Sequence, residues 1–185
     1  VSHAGPPERH RASAPAAAEV RVALLTVSDS RTPATNAGGR LLRRLADDAG
    51  WTVADEALLP DEPEALRARV VGWANGGEAD AALITGGTGL APRDRTPEAI
   101  VPIFDRRLPG FGELFRMLSF QEIGAAAMLS RADAGVIGRM AAFLLPGSPA
   151  AIELAMRKLI LPELGHLIGL LRSGRPPHED TPHGR

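Results

Sequence analysis

The segment Val20–Val27, V-R-V-A-L-L-T-V, constrains this chain more than any other. It is short, β-branched and almost continuously apolar, a pattern that suits a strand buried on both faces. Such a strand belongs in a parallel sheet with helices packed on each side. The segments that follow supply those partners. Gly39–Ala49 places Leu41, Leu42, Leu45, Ala46 and Ala49 at helical spacing, and Gly50 ends the run. Trp51–Leu59 reads as a second strand. Asp61 is the expected N-cap of the next helix, with Pro63 and Glu64 in its first turn and Leu66, Val70 and Trp73 as its apolar stripe. Ala79–Thr85 is a third strand, and Thr96-Pro97-Glu98 opens another helix with a capping hydroxyl and a proline at its first position.

Further on, Phe111, Leu114, Phe115, Leu118 and Ile123 recur at roughly helical spacing within residues 110–123. Val136-Ile137 and Met140–Leu145 flank Gly138-Arg139 as a hairpin turn. Pro146-Gly147-Ser148-Pro149 leads into a helix from Ala150, interrupted near Pro162 and continuing to Leu171. Strands alternating with helices predict an α/β fold: a three-layer sandwich whose mainly parallel sheet is flanked by helices and carries a small antiparallel hairpin. Residues 19–172 form one domain in this reading. Residues 1–18 and 173–185, rich in Pro, Ala and polar residues, are expected to be flexible tails. No apolar run reaches the length of a membrane span and no secretory leader is recognisable, so a cytoplasmic location is expected.

Composition narrows the chemistry. The 185 residues include no cysteine or tyrosine, Lys158 is the single lysine, and His166 is the one histidine away from the termini. Disulfides, thiolate nucleophiles and zinc–thiolate sites are excluded. With a single interior histidine, a Ser-His-Asp triad or a multi-histidine metal site is not expected, and a lone lysine within an apolar helical stretch excludes a Walker-type lysine. A net charge of −1 argues against nucleic acid or an anionic membrane as partner. Carboxylates, hydroxyls, arginines and glycine-rich backbone remain.

In parallel sheets, ligands bind outside the carboxyl ends of the strands. Ser28-Asp29-Ser30-Arg31 leaves the first strand there, Asp61 follows the second, and Thr85-Gly86-Gly87-Thr88-Gly89 through Asp94 follows the third. Gly86–Gly89 is either a nest of N–H groups for phosphate or a tight strand exit. Ser148, with Pro149 behind it, reads as an N-cap. Asp61 and Asp94 are either a cap and a solvated loop residue or a pair facing the glycine nest. Two carboxylates beside a phosphate call for a hard cation such as Mg²⁺. Arg93 and Arg95 are available to neutralise phosphate charge. Glu122 and Glu153 read as surface charges, and His166 as structural.

The runs Leu24–Arg31, Gly86–Gly89, Arg93–Ala99, Met128-Leu129-Ser130-Arg131 and Pro146–Pro149 stand in an order and spacing that resembles the molybdenum cofactor biosynthesis family, the Mog/MoaB-like proteins. Phe111–Gly124 is similar to the MoaB branch. The resemblance spans residues 20–171. It implies molybdopterin adenylyltransferase activity, in which molybdopterin and ATP give adenylyl-molybdopterin and pyrophosphate; the alternative is a non-catalytic molybdopterin-binding scaffold. It also implies that Asp61 and Asp94 serve catalysis and Mg²⁺. Gly86, Gly87, Thr88, Gly89, Pro146, Gly147 and Ser148 would contact nucleotide and phosphates, and Ser28, Arg93, Thr96 and Ser130 the pterin. A homotrimer or homohexamer and a molybdenum-insertion enzyme are the implied protein partners. Two positions depart from the family pattern: Asn36-Ala37-Gly38-Gly39 stands where Asp-x-Ser-Gly is common, and Arg95 replaces the usual Val or Thr. A related domain of the competence-damage amidase group shares a glycine-rich loop, but Met-Leu-Ser-Arg and Pro-Gly-Ser-Pro count against it.

Overall fold

The structure, a computed structural model, describes residues 14–173. Most of the two expected tails, with His3, His10, His178 and His183, lies outside the described residues; across the end of the first, Ala17–Glu19 forms a 3₁₀ turn. The strands are β1 (Arg21–Val27), β2 (Thr52–Leu59), β3 (Ala81–Thr85), β4 (Arg106–Arg107), β5 (Asp133–Ile137) and β6 (Met140–Leu145). The helices are α1 (Ala37–Asp48), α2 (Pro63–Gly76), α3 (Thr96–Ile100), α4 (Pro109–Ile123), α5 (Pro149–Ala155) and α6 (Leu161–Ser173). All six strands join one sheet in the order β2-β1-β3-β6-β5-β4. The first four in that order are parallel, while β5 and β4 add on antiparallel.

The central position of β1 accounts for its continuous apolar run. Val22 and Leu24 join one core with Leu42 and Leu45 of α1 and Phe111 and Phe115 of α4. Ala23, Leu25 and Val27 join a second core with Leu66, Val70 and Trp73 of α2 and Ile100 of α3. Side chains alternate across a strand, so two cores on opposite faces require apolar residues at every step. The edge strand β2 instead alternates exposed and half-buried residues. There Asp55 ties the strand to α2 by accepting from Arg69 and, at 2.8 Å, from Trp73 Nε1. The three-layer α/β sandwich with its antiparallel hairpin is therefore as the sequence predicts. Among the described residues no helix is long and apolar enough to cross a membrane.

Local details differ. The first residue of α1 is Ala37, and buried Asn36 is its cap: Oδ1 accepts from the Gly39 amide at 2.9 Å and Nδ2 donates to Thr26 Oγ1. Asp61 caps nothing, because the N-cap position of α2 is Glu62. Thr96 is already inside α3, with Arg95 in the cap position, so its hydroxyl caps nothing and Pro97 is the second helical residue. On α4, Phe111 and Phe115 face the core, whereas Leu114 and Ile123 are exposed. The interruption near Pro162 is a π-helical turn, Met156–Ile160, that joins α5 to α6. Proline has no N–H for the carbonyl four residues back, and a wider turn there keeps the helix continuous.

Candidate functional site

Because β1, β2, β3 and β6 are parallel, their carboxyl ends share one edge of the sheet. A cleft of about 610 Å³ opens there. Ser28, Asp61, Gly86, Gly87, Thr88, Gly89, Arg93, Asp94, Ser130, Pro146, Gly147 and Ser148 all line it. Segments separated by more than a hundred residues thus meet in one place. Thr96 is the exception among the expected site residues: it is fully buried beneath the cleft, and its amide donates to the Gly87 carbonyl at 3.0 Å.

The glycine loop takes its shape from close packing. Gly86 has φ +102°, and a β-carbon there would collide with the Val27 carbonyl. Gly87, at φ +63°, would collide with Thr96 Oγ1 and Asp61 Oδ2. Both positions therefore exclude a side chain on conformation and on space alike. The Gly86 amide donates to Leu145 O, and Thr85 Oγ1 to Pro146 O at 2.9 Å, which fastens this loop to the Pro146–Ser148 loop. Arg31 Nη2 donates to Gly147 O at 3.2 Å and closes the same corner.

Two carboxylates stand behind the loop, each anchored through Oδ2. Asp61 Oδ2 accepts from the Arg95 amide at 3.0 Å, and Asp94 Oδ2 from the Ala91 amide at 3.2 Å. Asp61 is 6% exposed, and its Oδ1 is buried with no hydrogen-bond partner among the described residues. Burial pushes the Asp61 carboxyl above the ordinary aspartate range; the Arg95 amide pulls it down, and the charges of Asp94, Asp29 and Glu98 add to the rise. A buried, unsatisfied carboxylate oxygen among like charges is a place where a cation would be stabilising. Among the described residues no cluster of three or more candidate ligands forms. Mg²⁺ does not need one, since one or two carboxylates with substrate phosphates and water complete its shell. Asp61 and Asp94 therefore fit a magnesium ion brought in with a phosphate ligand.

Three serines bring hydroxyls to the cleft. Ser28 Oγ accepts from the amides of Ser30 and Arg31, Ser130 Oγ from Ala132, and Ser148 Oγ from Ala151, at 3.2–3.3 Å. With its oxygen so engaged, each hydroxyl keeps its hydrogen to donate. Ser148 is thus both the N-cap of α5 and a wall of the cleft. Arg93 spans the rim, paired to Asp29 at 2.9 Å and Glu62 at 3.5 Å, while Asp29 Oδ1 also accepts from the Asp61 amide. Neither departure from the family pattern adds a side chain to the lining: Asn36 is spent on its cap, Arg95 contributes its amide to Asp61, and Gly38 lies where a side chain would meet Gly147 O and Arg31 at the cleft.

One wall was not legible in the sequence. Phe115 and Ile123 from α4, with Ala126, Ala127 and Leu129 from the 3₁₀ segment Gly124–Leu129, form a largely apolar side that Ser119 interrupts. Its only signal was the apolar run of residues 110–129, which also reads as plain core.

Residues 23–166 match the family described as "Probable molybdopterin binding domain". The chain is 46% identical over 169 residues to Molybdenum cofactor biosynthesis protein B of Bacillus subtilis, covering 91% of this chain and 98% of that protein. A solved structure of a Molybdenum cofactor biosynthesis protein B is 45% identical, with a TM-score of 0.82 over 84% of this chain and 98% of the other. The tungsten cofactor synthesizing protein MoaB of Pyrococcus furiosus is 32% identical, with a TM-score of 0.74 over 83% and 97%.

Proposed function

The chain belongs to the molybdopterin-binding-domain family of molybdenum cofactor biosynthesis, and from that premise we propose that it is a molybdopterin adenylyltransferase. A terminal phosphate oxygen of molybdopterin bonds to the α-phosphorus of ATP, the bond from that phosphorus to the bridging oxygen breaks, and pyrophosphate leaves. The nucleophile is already an anion, so no side chain has to remove a proton. That suits a cleft without cysteine, lysine or histidine in its lining. The work left to the protein is positioning and charge compensation.

The observation that carries the reading is the buried, unpartnered Asp61 Oδ1 beside the glycine loop and a second carboxylate. Asp61 and Asp94 would hold Mg²⁺, whose positive charge lets a polyphosphate approach them. The free backbone amides of the Gly86–Gly89 loop and the Ser148 hydroxyl would orient the phosphates, and the Ser28 and Ser130 hydroxyls the pterin. The apolar wall of Phe115, Ile123 and Leu129 accommodates a flat heterocycle and sheds water from the cleft. We also assign the expected homotrimer or homohexamer to the exposed apolar face of α4.

The test is pyrophosphate release from ATP in the presence of molybdopterin and Mg²⁺. Wild-type protein turns over, and Asp94→Ala loses about a hundredfold or more in rate, the scale seen when a charge-stabilising group is removed. Molybdopterin binding without turnover in wild type would instead support the scaffold reading. An Asp94→Ala protein as active as wild type would remove Asp94 from the mechanism.

A further inference from the structure

We infer that Arg131 is a positioning residue that holds both cleft carboxylates in register with Ser130, by fixing the peptide between Asp94 and Arg95. The inference rests on the adenylyl-transfer reading only for which ligands lie on the two sides. Arg131 directly follows Ser130 in the extended stretch that enters β5. Its Nε donates to Gly89 O at 2.9 Å and its Nη2 to Asp94 O at 2.6 Å, while Nη1 pairs with the Glu98 carboxylate. One guanidinium thus closes the Gly89–Asp94 loop from both ends and fastens it to α3.

The Asp94 carbonyl and the Arg95 amide are two ends of one planar peptide. Arg131 takes the oxygen of that peptide, and Asp61 Oδ2 takes its N–H at 3.0 Å. A cation on one side and an anion on the other polarise the same unit, and hydrogen bonds in such a chain strengthen one another. Rotation of this peptide would release Asp61 Oδ2 and displace the Asp94 side chain together. Ser130, one residue before Arg131, stands on the side given to the pterin. The arrangement therefore sets the distance between the pterin side and the carboxylate side of the cleft. Lysine cannot reproduce it, because a single ammonium lacks the planar fork that reaches Gly89, Asp94 and Glu98 at once.

The experiment compares wild type, Arg131→Lys and Arg131→Gln by three measurements. The first is hydrogen exchange of the Arg95 amide. The second is binding of Mg²⁺–ATP as a function of Mg²⁺ concentration, with molybdopterin binding measured separately. The third is the division of any rate loss between kcat and the KM for molybdopterin. In Arg131→Gln the Arg95 amide exchanges about tenfold faster, and the Mg²⁺ needed for half-saturation rises about tenfold. Molybdopterin affinity stays within about twofold, and the rate loss falls on kcat rather than on KM. Arg131→Lys recovers part of each loss. Unchanged Arg95 exchange and Mg²⁺ midpoint would overturn the inference. So would parallel loss of both ligands in step with a fall in Tm, which marks a merely structural residue. Should Arg131→Gln fail to fold, Glu98→Gln removes one anchor of the guanidinium and must move the same readings in the same direction by a smaller amount; no movement overturns the inference. A wild-type chain that binds both ligands and releases no pyrophosphate refutes the adenylyl-transfer reading, while amide exchange and the Mg²⁺ midpoint still decide the role of Arg131.

Discussion

Asp61 brings an ionisable oxygen into the protein without giving it a partner, so its charged form is disfavoured in the folded chain. Burial is the largest cause, and the charges of Asp94, Asp29 and Glu98 outweigh what the Arg95 amide returns. A folded pKa above the unfolded one means that the favourable contribution exists below the ordinary aspartate value, 3.8, and is lost as pH rises through the folded value. Without ligands at pH 7, Asp61→Asn should therefore melt higher than wild type. A gain on the order of 1 kcal/mol corresponds to about 2–4 °C in Tm for a domain of this size. The gap should close as pH falls towards 3.8, and Mg²⁺ with ATP should raise the melting point of wild type alone. Calorimetry across pH checks this; an Asp61→Asn protein that melts lower than wild type at pH 7 would contradict it. The sequence placed Asp61 at the right edge of the sheet but also allowed it to be a cap. Position follows from strand order, which periodicity reveals. The partner of each oxygen depends on the Arg95 amide, 34 residues away, which periodicity does not reveal. Thr96 differs for the same reason: a hydroxyl before proline reads as a cap, yet here it is packed under Gly87.

At the scale of elements, among the described residues α4 leaves more large apolar side chains exposed than any other helix. Phe111 and Phe115 point into the core, while Met117 is 53%, Phe120 61% and Ile123 61% exposed. Met128 and Leu129 in the following 3₁₀ segment extend the apolar surface to the lip of the cleft. Large apolar side chains left exposed on one helix and on the segment that follows it are what an association site presents. If α4 is the interface of the proposed homo-oligomer, Phe120→Asp should sediment as a monomer while keeping its Tm within a few degrees. An assembly unchanged by that substitution would exclude this face. In the sequence the same residues gave a good helix, because apolar groups on two faces still satisfy helical spacing. Which face is inward is set by the sheet, so Leu114 and Ile123 could not be separated from Phe111 and Phe115 beforehand. Strand β4, two residues long and both arginine, carries no apolar alternation at all. It exists because the Arg106 and Arg107 backbone pairs with β5, a property of the neighbour and not of the segment.

Across the whole molecule, the two ends of the sheet treat a buried acid in opposite ways. At the carboxyl end Asp61 is left unsatisfied where the proposed ligand arrives. At the amino end Asp80, 8% exposed, is fully engaged. Its Oδ2 accepts from the Arg21 amide at 2.9 Å, its Oδ1 pairs with the side chains of Arg21 and Arg172, and its backbone joins β1 to β6 through Arg21 O and the Ala141 amide. Burial alone would raise the Asp80 carboxyl, but the Arg21 amide and the Arg172 and Arg21 side chains hold it below the ordinary aspartate value. The sign is therefore the reverse of that for Asp61. The contribution is present above the unfolded pKa and is lost as pH falls through the folded one. Asp80→Asn should cost about 1–2 kcal/mol at pH 7, discounted because both arginines are partly exposed. That corresponds to a Tm lower by roughly 4 °C, and the deficit should shrink in strong acid, where wild type has lost the same charge. Loosening α6, which Arg172 fastens to this edge, should accompany the loss and be visible as faster hydrogen exchange in residues 161–173. Pyrophosphate release at pH 7 and moderate temperature should be unchanged, because no group in this network lines the cleft. A variant that loses turnover while keeping its melting point would show that the two ends of the sheet are coupled, against the separation of stabilising and ligand-binding acids argued here.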